Sequence, residues 1–136
     1  MFGFHLVALV AIVSLILYLY MSVRVGQLRA KHGIKAPAVT GHEEFERAFR
    51  VHQNTLEWIV IYLPGLFLFS TFVHEYLAAA LGIVWIIGRY VYMEGYIEAA
   101  DKRSAGFGIQ ALATLVLLLG SAVGIIWNML GIGPIF

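Results

Sequence analysis

From Phe4 to Val23 the chain carries no Asp, Glu, Lys or Arg. A helix of that length covers the roughly 30 Å hydrocarbon core of a bilayer, where each backbone group must be satisfied within its own helix or a closed barrel. Three further apolar stretches follow, each long enough to do the same. Strands, open sheets and lipid-exposed irregular segments are thereby excluded. The composition agrees: 61% of residues are hydrophobic and 12% charged, against about 25% charged in soluble domains. The N-terminal stretch lacks the basic start and small-residue cleavage site of a signal peptide, so it is expected to be a retained helix.

The expected architecture is all-α and integral to the membrane. It is one domain, residues 1–136, folded as an antiparallel bundle of four transmembrane helices over about 4–31, 41–73, 76–98 and 105–130. His32-Gly33 follows basic residues and marks a helix end. Thr40-Gly-His-Glu43 fits a capping box, with Thr40 as N-cap and Glu43 reaching back. Pro64 is expected to kink the second helix. In the fourth, Gly120 and Gly124 form a small-xxx-small pattern suited to close helix packing.

Several function classes drop out. A net charge of +1 offers no basic surface for nucleic acid. The absence of cysteine removes disulfides, thiolate metal sites and a cysteine nucleophile. The five histidines are scattered without metal-ligand spacing, so no metal is expected.

What remains is a set of polar residues inside apolar helices. Arg47, Arg50, Asn54 and Glu57 are spaced three, four and three apart on the second helix, which places them on one face. Arg89, Tyr92 and Tyr96 share a face of the third, and seven more residues along that helix would reach Arg103. Such residues can act as glue between helices. Here four arginines are expected to converge, and only Glu57 lies deep enough to answer them. Ionisable groups within a membrane are costly and mark function. The set therefore points to an absent ligand carrying carboxylates, and an amine for Glu57.

The stretches "FERAFRVHQNTLE", "GIVWIIGRYVYMEGY" and "DKRS" resemble the MAPEG superfamily, the membrane-associated proteins of eicosanoid and glutathione metabolism. The resemblance spans about Pro37 to Gly106 and is greatest to the type-3 microsomal glutathione transferase branch. It implies a homotrimer of four-helix subunits, with glutathione as co-substrate held between neighbouring subunits and open to the cytosolic leaflet. It also implies glutathione contacts at Arg29, Arg50, His52, Asn54, Glu57, Trp58, Tyr92 and Tyr96, with Arg103 as the residue that activates the thiol. His52, Trp58 and Ala30 depart from the leukotriene-forming members, which have glutamine, tyrosine and arginine there. Glutathione chemistry survives these departures, whereas leukotriene synthesis loses support. The implied activity is glutathione transfer to a hydrophobic electrophile, with reduction of a lipid hydroperoxide as a second outcome of the same thiolate. The alternatives are a non-catalytic lipid-binding scaffold of the 5-lipoxygenase-activating type and a small transporter subunit. The first is opposed by Arg50 and Glu57, the second by polar faces that stop halfway across.

All nine Lys and Arg residues lie in or near the connections after the first and third helices. The positive-inside rule places those connections in the cytosol and both termini outside, in a bacterial inner membrane or an organelle membrane with the site facing the cytosol. A membrane-impermeant amine reagent applied to intact right-side-out cells should therefore leave Lys31 and Lys102 unmodified. Labelling of Lys102 from outside would invert this topology.

Overall fold

The computed structural model describes residues 1–136 and contains four long helices. They are α1 (Phe2–Lys31), α2 (Glu43–Phe72), α3 (Glu75–Glu98) and α4 (Ser104–Met129), with a 3₁₀ turn, Ala100–Arg103, between the last two. All four are long and apolar enough to cross a membrane. Helices α2 and α3 form the centre, and each packs against both α1 and α4.

The helix ends have local causes. α1 closes in a Schellman motif. The Gly33 N–H donates to the Ala30 carbonyl at 3.3 Å, and the Ile34 N–H donates to that of Arg29 at 3.0 Å. Gly33 takes φ +64, the left-handed conformation that glycine adopts without steric cost. Ile34 then packs onto the cluster containing Leu28, the hydrophobic contact that accompanies this motif.

The start of α2 differs from the expected capping box. The N-cap is His42, not Thr40, and its Nδ1 accepts the Glu44 N–H at 3.1 Å. Gly41, at φ +141, turns the chain after Thr40, so Thr40 lies outside the helix. Glu43 does not reach back to Thr40; it pairs with Arg47 at 3.8 Å. Glu44 ties the helix to the end of α1, accepting from Lys31 Nζ at 3.1 Å and meeting His32 Nε2 at 2.9 Å. The His32 and His42 rings stack at 3.5 Å. α2 runs unbroken through Pro64.

Two apolar clusters form the core. One gathers Val7, Val10, Tyr62, Leu66, Trp85 and Leu117; the other gathers Met21, Phe45, Val51, Tyr92, Met93 and Ile97. In the first, Tyr62 stacks on Trp85 at 3.9 Å, and its hydroxyl meets Ser14 Oγ at 2.9 Å. Between the clusters along α2, α3 and α4 lie Thr55, Arg89 and Gln110, all fully buried. A polar layer thus divides the apolar interior.

Lipid tails are as apolar as leucine, so close helix contact must come from small residues. Gly106 and Gly88 supply it between α3 and α4. A Cβ on Gly106 would fall on the Tyr92 backbone, and one on Gly88 would sit 2.7 Å from the Gln110 backbone nitrogen. Gly120 and Gly124 seat against Phe69 and the Phe72 carbonyl in the same way, as their spacing predicts. Replacing Gly106 by alanine should cost about 1–3 kcal/mol of stability through overpacking. Gly26→Ala, with open space around the new methyl, should cost nothing. Thermal unfolding of both variants in detergent checks this, and equal melting temperatures would contradict it.

Candidate functional site

A cavity of about 330 Å³ opens where α2, α3 and the start of α4 meet, lined by Arg50, Asn54, Tyr92, Tyr96, Arg103 and Phe107. The first two lie four residues apart on α2, and the two tyrosines lie four apart on α3. Helical periodicity therefore presents each pair from one face. The Tyr92 and Tyr96 rings meet edge to face at 5.5 Å.

Arg103 arrives by a different route from the one its spacing suggests. α3 stops at Glu98, and Ala99 is extended, with φ −159 and ψ 139. The chain then reverses through the 3₁₀ turn. That turn rests against Gly95, whose missing side chain leaves room for the Lys102 carbonyl. Arg103 ends 5.6 Å over the Tyr96 ring and donates to the Ala100 carbonyl. No local signal in Ala-Ala-Asp-Lys-Arg marks the stop.

Glu57 joins the cavity through its residents. Its carboxylate accepts from Arg50 Nη1 and from Asn54 Nδ2, each at 3.5 Å. Arg50 and Glu57 are both about half exposed, at 56% and 55%. Such a long, wet contact is worth little by itself, so both groups remain available to a ligand. Trp58 stands beside the cavity, edge-on to Phe107 at 5.4 Å.

Two residues of the expected set lie elsewhere. His52 is two positions from both Arg50 and Asn54, hence on the far side of α2, where it stacks on Tyr18 of α1 at 4.7 Å. Arg29 donates to the Ala38 carbonyl at 2.7 Å and covers the Phe45 ring.

Nor do four arginines converge. Arg47 Nε donates to the Ile97 carbonyl at 2.9 Å and ties α2 to the end of α3. Arg89 turns inward and is completely buried, with Nη1 on Asn54 Oδ1 at 2.9 Å and on Thr55 Oγ1 at 3.3 Å. Spacing alone could not separate Arg89 from its neighbours, because it gives a face but not the helix that covers that face. Phe107 was missed among the apolar residues of α4; its position one turn after Arg103 was the available signal.

The cavity therefore combines two guanidinium groups, two phenols, an amide and a carboxylate with an aromatic wall. This suits a small zwitterion that carries more than one carboxylate. A second, larger cavity of about 480 Å³ lies between α1 and α3 but is lined only by apolar and tyrosine side chains, among them Ile16, Tyr20 and Tyr90. It offers no comparable chemistry.

The sequence profile of the MAPEG family matches residues 7–123. An uncharacterized protein of Synechocystis is 43% identical over 122 residues, covering 90% of this chain and 89% of that one. Human microsomal glutathione S-transferase 2 is 43% identical over 121 residues, with 86% and 82% covered. Leukotriene C4 synthase of Cavia porcellus is 32% identical over 125 residues, with 92% and 83% covered. The transferase relatives carry the type-2 name, whereas the motifs by themselves leaned to the type-3 branch. Family profile, four apolar helices and three ordered motifs agree, and the chain belongs to the MAPEG family.

Proposed function

We propose that this protein is a membrane-embedded glutathione transferase, which activates the glutathione thiol for attack on hydrophobic electrophiles. The observation that carries the reading is one cavity that joins Arg50, Asn54, Tyr92, Tyr96 and Arg103 to an aromatic wall. Relatives named for glutathione transfer and for leukotriene C4 synthesis support the class of reaction.

Each group has a task on this reading. Arg50 clamps a glutathione carboxylate. Glu57, drawn toward Arg50 and Asn54, is free to take the ligand's ammonium. Asn54 serves a peptide group. The reactive species is the thiolate, and a free thiol near pKa 8.5 is mostly protonated at neutral pH. Arg103 cannot lose its proton, so it acts as a fixed positive charge and not as a base. Tyr96, under the Arg103 guanidinium, can add a hydroxyl hydrogen bond to the sulfur. Attack on an electrophilic carbon forms a C–S bond as a leaving group departs with its electron pair, or as an epoxide opens and its oxygen takes a proton. Attack on a lipid hydroperoxide, completed by a second glutathione, yields an alcohol, water and glutathione disulfide.

His52 and Arg29 lie away from this cavity within one chain. They fit a homotrimer in which a neighbouring copy supplies them to the same ligand, with the site toward the cytosol.

Two variants test these roles. Arg50→Ala should weaken glutathione binding by roughly 1.5–3 kcal/mol, the cost of losing a charged hydrogen-bond partner. Calorimetric titration giving equal affinity for wild type and variant removes Arg50 from the site. Arg103→Ala should keep most of the binding and lose turnover. If Arg103 lowers the thiol pKa by about 2, within the reach of a neighbouring charge, its loss costs about 2.7 kcal/mol. With the free thiol near 8.5, the thiolate fraction at pH 7 then falls about 25-fold. Ultraviolet thiolate absorbance followed against pH should move upward, and the rate should recover in part at high pH. An unchanged curve with unchanged turnover makes Arg103 an ordinary surface anchor.

A further inference from the structure

Arg89 is the one arginine of the central helices that neither lines the cavity nor reaches the surface. It is 0% exposed, and its bonds go to neutral groups, Asn54 Oδ1 at 2.9 Å and Thr55 Oγ1 at 3.3 Å. Its Nε and Nη2 have no hydrogen-bond partner. Its Cζ lies 4.7 Å from the centroid of the Tyr92 ring and 5.9 Å from that of Trp85. The bonds to Asn54 and Thr55 tie α3 to α2. The geometry of Arg89 also suits another task.

We propose that Arg89 is a positioning residue, which fixes the side-chain amide of Asn54 so that its NH₂ group, and not its oxygen, is presented to the ligand cavity. Arginine has donors only, so the Asn54 atom facing it must be the carbonyl oxygen. The amide nitrogen is then directed to the opposite side, where Nδ2 lies 3.5 Å from Glu57. Thr55 cannot reverse the arrangement. Its hydroxyl proton is spent on the Val51 carbonyl at 2.8 Å, so toward Arg89 it only accepts. The Tyr92 and Trp85 rings pack against the guanidinium and limit its movement. Asn54 thus becomes a dedicated donor that recognises a carbonyl or carboxylate oxygen of the bound molecule. Without Arg89 the amide could turn over and present an acceptor, which repels such an oxygen.

The inference rests on the glutathione reading above, and the test separates the two. Glutathione affinity is measured by calorimetry for wild type, Arg89→Met, Asn54→Ala, the double variant and Arg89→Lys, each first checked for thermal unfolding and oligomer size in detergent. Arg89→Met should weaken binding about tenfold in the wild-type background but less than about twofold when Asn54 is already alanine, because coupled residues are not additive. Arg89→Lys retains a donor and no acceptor while charged, so its affinity should stay within about threefold of wild type. Equal losses in both backgrounds would mean that Arg89 acts on the fold and would overturn the proposal. If Arg89→Met does not fold, Arg89→Lys decides: a folded lysine variant whose binding falls more than about tenfold overturns it as well. Failure of the wild type itself to bind glutathione removes the functional reading, and this role with it.

Discussion

The constraint on which the bundle depends is a permanent positive charge placed among apolar helices. Arg89 lies between the two hydrophobic clusters, fully buried, with no carboxylate bonded to it. A charge at that depth costs about 2.5–3.5 kcal/mol on an insertion scale. A hydrogen bond to a charged group returns about 1.5–3 kcal/mol. Asn54, Thr55 and the two aromatic faces are therefore of the size needed to offset it. The consequence is register. α3 can slide along α2 only by giving up those acceptors, so Arg89 aligns the two helices. That alignment brings Tyr92 and Tyr96 level with Asn54 and Arg50.

The glycine contacts complete what the charge begins. In a bilayer, apolar helices gain little from meeting each other instead of lipid. Many large apolar side chains, such as Leu9, Ile16 and Leu19 on α1, remain exposed outside the bundle. Close approach is instead achieved at Gly88 and Gly106, where α3 and α4 touch backbone to backbone. These contacts lie beside Arg89 and beside Tyr92. The residues that hold α4 against α3 are thus the residues that shape the cavity wall, and Phe107 enters the site because its neighbour Gly106 does not fill the gap.

The fold was legible in the sequence to within one or two residues at most helix ends, because membrane thickness and backbone satisfaction leave few alternatives. Much of the cavity was legible too: Arg50 with Asn54, and Tyr92 with Tyr96, follow from helical spacing alone. What escaped were the features decided by packing or by the connections. The cap moved to His42 because Gly41 turns the chain. Arg103 was reached through a reversal at Ala99 and not along α3. Arg89 shared a periodic face with the tyrosines yet turned inward, since a face of about 100° can contain both a cavity-lining and a buried position. His52 and Arg29 could be placed near the site only through family resemblance, and within one chain they stand apart from it.

The division of the cavity between polar and aromatic walls bears on how two unlike reactants could meet. Arg50, Arg103 and the half-exposed Glu57 supply the charges of the cavity, so on the glutathione reading a charged tripeptide would be held at that side. Phe107, with Trp58 edge-on behind it, closes the side toward the apolar stretch of α4. On the same reading a lipid-soluble electrophile would reach that side from the surrounding bilayer, where it concentrates whatever its solubility in water. On the glutathione reading, catalysis then needs little more than a held thiolate at the boundary. Orienting two reactants in this way can by itself remove about 7–11 kcal/mol of a barrier. The charge of Arg103 has only to keep the sulfur ionised while the second reactant arrives from the membrane. On that reading the fixed charges belong on one side of the site and the aromatic wall on the other.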